Sequence, residues 1–213
     1  MLPGKVLRDV DLPNWEPKMR FSEPRARKEQ VPTGTGIEAT TILAVRSPEL
    51  RCCAMGCDGQ ATMESRVVKA GARKVHRIHG GEVLAGFAGG TADGLALLER
   101  LEGKLKEHGS LKRAAVELSK EWRTDRVLRR LEAVILAASH EALLLITGQG
   151  DVLEPDDGLA GIGSGGGYAL AAARALIRHA SLSPAEVVRE ALLIAAGIDV
   201  YTNDQIIVEE VRW

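Results

Sequence analysis

A chain of 213 residues is long enough for one large domain with a well-buried core, and 45% hydrophobic residues exclude a disordered chain. Its 28 basic and 29 acidic residues leave a net charge of −1, which offers no general attraction to nucleic acid or to an anionic membrane. No apolar run approaches the ~18 residues of a membrane span, the first residues carry no apolar signal core, and the few cysteines suit a reducing compartment, so a cytoplasmic protein is expected.

Residues 1–39 hold five of the eight prolines, mixed charges and no sustained apolar period. That is the composition of a leader with little structure of its own, which leaves 40–213 as a single domain. The change comes at Thr40, where TTILAVR is rich in β-branched and aliphatic residues and predicts a buried strand. SPEL supplies a turn, RCCAM the returning strand and GCDGQ a second turn; KVHRI and EVLAGFA predict further strands. Two helices follow. Leu95, Leu98, Leu101 and Leu105 recur at helical steps on the first; Leu111, Ala114, Ala115, Leu118 and Trp122 form the stripe of the second, which Ser110 caps. LEAVILAA and EALLLIT return to strand, GQGDVLEPDDG supplies turns and a short strand, and LAGI leads into GSGGG. A helix beginning near Tyr168 carries Ala169, Ala171, Ala172, Ala173 and Ala175, small enough for close packing. In SPAE, Ser183 caps the next helix, Pro184 fits its first position and Glu186 closes a capping box, with Val187, Val188, Ala191, Leu192 and Ala195 on the buried face. QIIVEEV predicts the last strand. Short turns between strands imply antiparallel sheet, and the element order favours two packed sheets, each covered by a helix pair.

Cys52, Cys53 and Cys57 lack the spacing and the neighbouring histidines of a zinc site and read as free thiols in or beside a strand. The chemistry centres on Thr40. Inside a chain its hydroxyl is a poor nucleophile; at a free N-terminus its own α-amine, with a reference pKa of about 7.7–8.0, accepts the hydroxyl proton near neutral pH. Such a site also needs positive charge, an orienting carboxylate and an oxyanion hole. Lys74 in GARKVHRI, Asp58 in GCDGQ, Gly86 in LAGFAGG and Ser164 in IGSGGG are the candidates. Each alone also reads as something plainer: a solvated lysine, a hairpin Asp-Gly, a strand-bulge glycine, a helix cap. Their joint occurrence in this order carries the reading.

Taken together, ATTILAVR, GCDGQAT, GARKVHRI, VLAGFAGGTAD, AAVELSKEWRTDRVLRRLEA, ITGQGDVLEP, IGSGGGYALAAARAL and YTND resemble the HslV family, the proteasome-like peptidases of the bacterial HslUV protease. The resemblance covers 40–211. It implies an α+β fold, the four-layer α-β-β-α sandwich of N-terminal-nucleophile hydrolases, assembled as a double hexameric ring. It implies a partner AAA+ ATPase, HslU, which spends the ATP and feeds in unfolded protein substrates. The family's nucleophile falls on Thr40, its aspartate on Asp58, its lysine on Lys74, the glycine lending an oxyanion N–H on Gly86, and the serine near the nucleophile on Ser164. A monovalent cation, usually sodium, falls to the main-chain carbonyls of Ala196, Asp199 and Thr202; no catalytic metal is expected. The chain departs from the family pattern in four places. RSPELRCC is about two residues longer than the usual first hairpin, which a surface turn absorbs. Gly167 replaces a common proline, Ala196 and Asp199 replace glycine and cysteine, and the leader precedes the nucleophile. With Ala39 before it, Thr40 becomes an N-terminus only when the Ala39–Thr40 bond is cut, most simply by attack of its own hydroxyl on the preceding carbonyl.

Three other readings stand beside this one. An unprocessed, non-catalytic ring subunit would keep its leader. A dinucleotide-binding protein would use GIGSGG, with Glu186 near the expected acidic position, although that residue belongs to a helix-start signature. A small-molecule amidase would use the same nucleophile, and WRTDR argues against it.

Overall fold

The computed structural model describes residues 37–38, 40–63, 66–131 and 133–213; the rest of the leader reading, on 1–36 and 39, lies outside them. In chain order the strands and helices are β1 (Ile37–Glu38), β2 (Thr41–Ser47), β3 (Cys52–Cys57), β4 (Ala61–Met63), β5 (Arg66–Lys69), β6 (Val75–Ile78), β7 (Val83–Gly89), α1 (Thr91–His108), α2 (Leu111–Thr124), β8 (Ala133–Ala138), β9 (Leu143–Thr147), β10 (Val152–Leu153), β11 (Leu159–Gly163), α3 (Gly166–His179), α4 (Pro184–Ala196) and β12 (Ile207–Arg212). Among the described residues they form a five-stranded sheet in the order β10-β9-β8-β7-β6, a four-stranded sheet β11-β2-β3-β12 and a small sheet β1-β4-β5. Every pairing is antiparallel.

Alternation along the strands builds the layers. On β2, Ile42 and Ala44 face the space between the two large sheets, while Leu43 and Val45 face α3 and α4. On β8, Leu136 and Ala138 enter the same inter-sheet core, while Ile135 and Ala137 pack under α1 and α2. A strand buried on both faces needs apolar residues at consecutive positions, which is why ILAV and VILAA read as continuous runs rather than alternating ones. The order of layers is therefore helix pair, sheet, sheet, helix pair. Each fully buried Leu or Ile contributes roughly 1.5–3 kcal/mol of transfer free energy.

The helix ends follow the local chemistry. The Ser183 hydroxyl accepts from the Glu186 N–H and the Glu186 carboxylate accepts from the Ser183 N–H, a complete capping box. Ser110 accepts from the Arg113 N–H at 3.3 Å, and Glu141, from the β8–β9 turn, accepts from the Leu111 N–H at 2.7 Å. That places a carboxylate against the positive end of α2. One local expectation needs correction. Leu95 is 43% exposed; the buried face of α1 runs through Gly94, Leu97, Leu98, Leu101 and Leu105. Both stripes have helical spacing, and Gly94, pressed onto the Phe87 ring, selects the second. The sequence also left 61–63 and 66–69 unassigned, where β4 and β5 form, and Ile37 and Glu38 pair with β4. Among the described residues, no helix is long and apolar enough to cross a membrane.

Candidate active site

β3 ends at Cys57, and Asp58 turns beneath the start of β2. The Asp58 N–H donates to the Thr41 carbonyl at 3.2 Å, and the Thr41 N–H donates back to Asp58 Oδ1 at 2.9 Å. Lys74, just ahead of β6, donates from Nζ to the same Oδ1 at 2.7 Å, while the Gln60 N–H donates to Oδ2 at 2.7 Å. The side chains of Lys74 and Asp58 are 8% and 0% exposed. A charge pair this buried persists only when its remaining lone pairs are satisfied, and the two backbone donors do that. The pair thus fixes an ammonium beside the residue that follows Thr40. Gln60 Nε2 donates to Thr62 Oγ1 and to the Val200 carbonyl, tying the loop to the turn after α4.

A second cluster converges from the other side. Thr41 Oγ1 accepts the Gly165 N–H at 2.9 Å and shares a hydrogen bond with Thr202 Oγ1 at 2.7 Å. Thr202 Oγ1 donates to Asp199 Oδ2 at 2.5 Å, and Ser164 Oγ donates to that same oxygen at 2.7 Å. Thr202 has one proton and gives it to the carboxylate, so the proton between the two threonines comes from Thr41. The glycine-rich turn is shaped around this cluster. Gly163 has φ +86°, and a Cβ there would lie 1.5 Å from the Thr40 carbonyl oxygen; a Cβ on Gly165 would lie 2.5 Å from Thr41 Oγ1. Only glycine lets this turn close over the start of β2.

The predicted residues therefore fall into two groups around residues 40–41. Asp58 and Lys74 form one; Ser164, Asp199 and Thr202 form the other, and Thr41 touches both. Gly86 lies mid-strand on β7, paired with Val75 on one side and Leu136 on the other. A Cβ there would meet Ile42 Cδ1 at 2.7 Å and the Lys74 carbonyl at 2.9 Å, so its bareness lets β7 approach the core of the site. Sequence reasoning took Thr41 for a plain strand residue and gave Asp199 only a carbonyl role; it also passed over Gln60. Their partners lie up to 161 residues away along the chain, and no local pattern announces them.

The three cysteines are free and buried. Burial pushes the Cys53 thiol up to about 11, and it raises Cys57 against the smaller pull of the Lys74 and Val75 N–H groups. GIGSGG is not the first turn of a dinucleotide fold. Its first three residues end β11, which is antiparallel to β2, and Glu186 is consumed by the capping box.

The turn after α4 is where the resemblance puts a monovalent cation. Carbonyls at a helix C-terminus carry the negative end of the dipole, and the Asp199 carbonyl, which accepts the Thr202 N–H at 3.1 Å, keeps a second lone pair.

The proteasome-subunit family model matches residues 37–211. The eukaryotic HslV of Trypanosoma brucei is 47% identical, with 81% of this chain and 99% of that one covered at a TM-score of 0.76. BPH of Thiobacillus denitrificans shares the fold. Its structure with epoxomicin is 20% identical over 81% of this chain and 98% of that one at a TM-score of 0.65, and a second BPH structure is 19% identical over 81% and 97% at 0.65. The α-β-β-α layering, the threonine at the head of an interior strand and these matches agree: the chain belongs to the HslV branch of the proteasome-subunit family, the N-terminal threonine hydrolases.

Proposed function

We propose that the chain is the peptidase subunit of an ATP-dependent protease and that Thr40, freed by cleavage of the Ala39–Thr40 bond, is its nucleophile. The observation that carries this is the buried Asp58–Lys74 pair, hydrogen-bonded to the backbone of the residue next to Thr40. In processing, Thr40 Oγ attacks the Ala39 carbonyl. The acyl group shifts from nitrogen to oxygen, and water hydrolyses the ester and leaves a free amine. In turnover, that amine takes the hydroxyl proton as Oγ attacks the scissile carbonyl carbon; the proton then passes to the departing amide nitrogen, and water releases the acyl group. Lys74, oriented by Asp58, supplies the positive charge that favours the neutral amine and the developing alkoxide. Ser164, held by Asp199, stands at the turn that closes over Thr40.

The same reading has the chain assemble into a double hexameric ring in the cytoplasm and receive unfolded protein from an AAA+ ATPase partner. The apolar face between α3 and α4 supports assembly: Tyr168, Ile194 and Ile198 are exposed there around a cavity of about 560 Å³. A sodium ion would be held by the carbonyls of Ala196, Asp199 and Thr202 and would stiffen the turn that carries the Asp199 and Thr202 side chains, taking no part in the proton transfers.

The test is the intact mass and peptidase activity of wild type beside Thr40→Ala. Wild type is expected to begin at Thr40 and to hydrolyse a reporter peptide; Thr40→Ala is expected to keep its full length and show no turnover. A full-length wild type without activity would instead support a non-catalytic ring subunit, and wild-type activity in Thr40→Ala would remove the nucleophile assignment.

A further inference from the structure

We infer that Asn203 is a positioning residue that holds Lys74 and Asp58 in register and acts on the Thr40 amine through that pair. The inference rests on the proposed role of Thr40 and deepens it.

Lys74 and Asp58 meet across two stretches without regular structure. β3 ends at Cys57 and β6 begins at Val75, so the sheet ladders stop one residue short of both charges. Main chain supplies part of what sets the two stretches together. The Ala72 N–H donates to the Gly59 carbonyl at 2.8 Å, and a Cβ on Gly59 would lie 2.1 Å from the Ala70 carbonyl oxygen. The rest comes from one side chain. Asn203 Oδ1 accepts the Gly59 N–H at 3.0 Å and the Gln205 N–H at 3.2 Å, while Nδ2 donates to the Ala70 carbonyl at 2.9 Å. Asn203 thus ties the residue after Asp58 to the stretch that leads into Lys74. It does so from the position next to Thr202, whose hydroxyl is bonded to Thr41.

The contact requires a carboxamide. Gly59 presents a donor and Ala70 an acceptor, so turning the amide end for end would make both contacts repulsive. Aspartate would lose the bond to Ala70, and leucine would lose every bond. The influence of an ammonium falls with distance, so slack between the two stretches weakens the charge that favours the neutral amine. The sign follows from this. With Lys74 less well held, the Thr40 amine stays protonated to higher pH, and the neutral base is gained later as pH rises. The bonds of Asn203 go to main chain of its own subunit, so its loss should fall on kcat rather than on KM.

The experiment compares Asn203→Ala with wild type and with Asp204→Ala, an exposed neighbour in the same segment. Rates are taken per processed chain, counted by intact mass. Asn203→Ala is expected to lose about tenfold in kcat at neutral pH, with KM within about twofold of wild type. The acidic limb of its kcat/KM profile should move up by about half a pH unit or more, and Asp204→Ala should match wild type. Thermal unfolding, which needs neither processing nor turnover, is the second arm. In full-length Thr40→Ala, adding Asn203→Ala is expected to lower Tm. In Thr40→Ala carrying Asp58→Asn and Lys74→Met, which leaves no lone buried charge, the same change should lower Tm by about half as much or less. A merely structural tie would lower Tm equally in both parents and leave the acidic limb in place. Either result would overturn the inference, as would a change confined to KM or an equal loss in Asp204→Ala. Unequal Tm shifts in a protein whose wild type hydrolyses nothing refute the peptidase reading and leave the tie between Asn203 and the ion pair. Hydrolysis by wild type with equal Tm shifts does the reverse.

Discussion

Replacing Thr41 by Val keeps the shape of a fully buried side chain and removes one oxygen. That oxygen accepts the Gly165 N–H and is bonded to Thr202 Oγ1. The Gly165 N–H is left buried without an acceptor, at a cost of about 1–3 kcal/mol, whereas Thr202 keeps its bond to Asp199 and loses about 0.5–1.5 kcal/mol. The sum, about 2–4 kcal/mol, lowers Tm by about 5–15 °C for a domain of this size. Thr41→Ser keeps the oxygen and loses only a methyl group, about 1 kcal/mol. Thermal and urea unfolding are measured in a Thr40→Ala background, which keeps processing out of the comparison. In the active background, Thr41→Val is expected to lower kcat/KM through the displaced Gly163–Gly165 turn, and Thr41→Ser to restore most of it. A Val variant within about 0.5 kcal/mol of its parent, or a Ser variant as damaged as Val, would refute the reasoning.

Asp58→Asn takes the charged partner from a buried ammonium and is expected to cost about 3–5 kcal/mol and to abolish turnover. Combined with Lys74→Met, it should cost less than the sum of the single changes by about 2 kcal/mol in urea unfolding, and strict additivity would contradict the pairing. The cysteine thiols, held protonated by burial, are expected to resist a disulfide reagent in native protein at neutral pH and to react in denaturant, all three together. Fast reaction of any one in the native state would contradict its placement.

Much of this fold is legible because its signals are local. SPAE writes its own capping box, and the apolar runs on β2, β8 and β9 can be buried only between two layers. The face of α1 is less legible, because Leu95 and Leu97 both fit a helical stripe and the choice depends on Phe87 beneath Gly94. β4 and β5 escape notice because they are short and β5 is wholly exposed, so no alternation marks them. At the site, residue types and order point to Asp58 and Lys74, but the work of Asp199 is invisible until α4 and the glycine turn are brought to the same end of β2.

The locked hydroxyl of Thr41 bears on the fidelity of maturation. Two adjacent threonines look like redundancy, as if trimming one residue too far would simply promote the second. Thr41 cannot stand in: its side chain is committed to Gly165 and Thr202 and its N–H to Asp58. An N-terminus ragged by a single residue would therefore be a dead enzyme that still folds, which makes the accuracy of one cut a switch for the whole molecule.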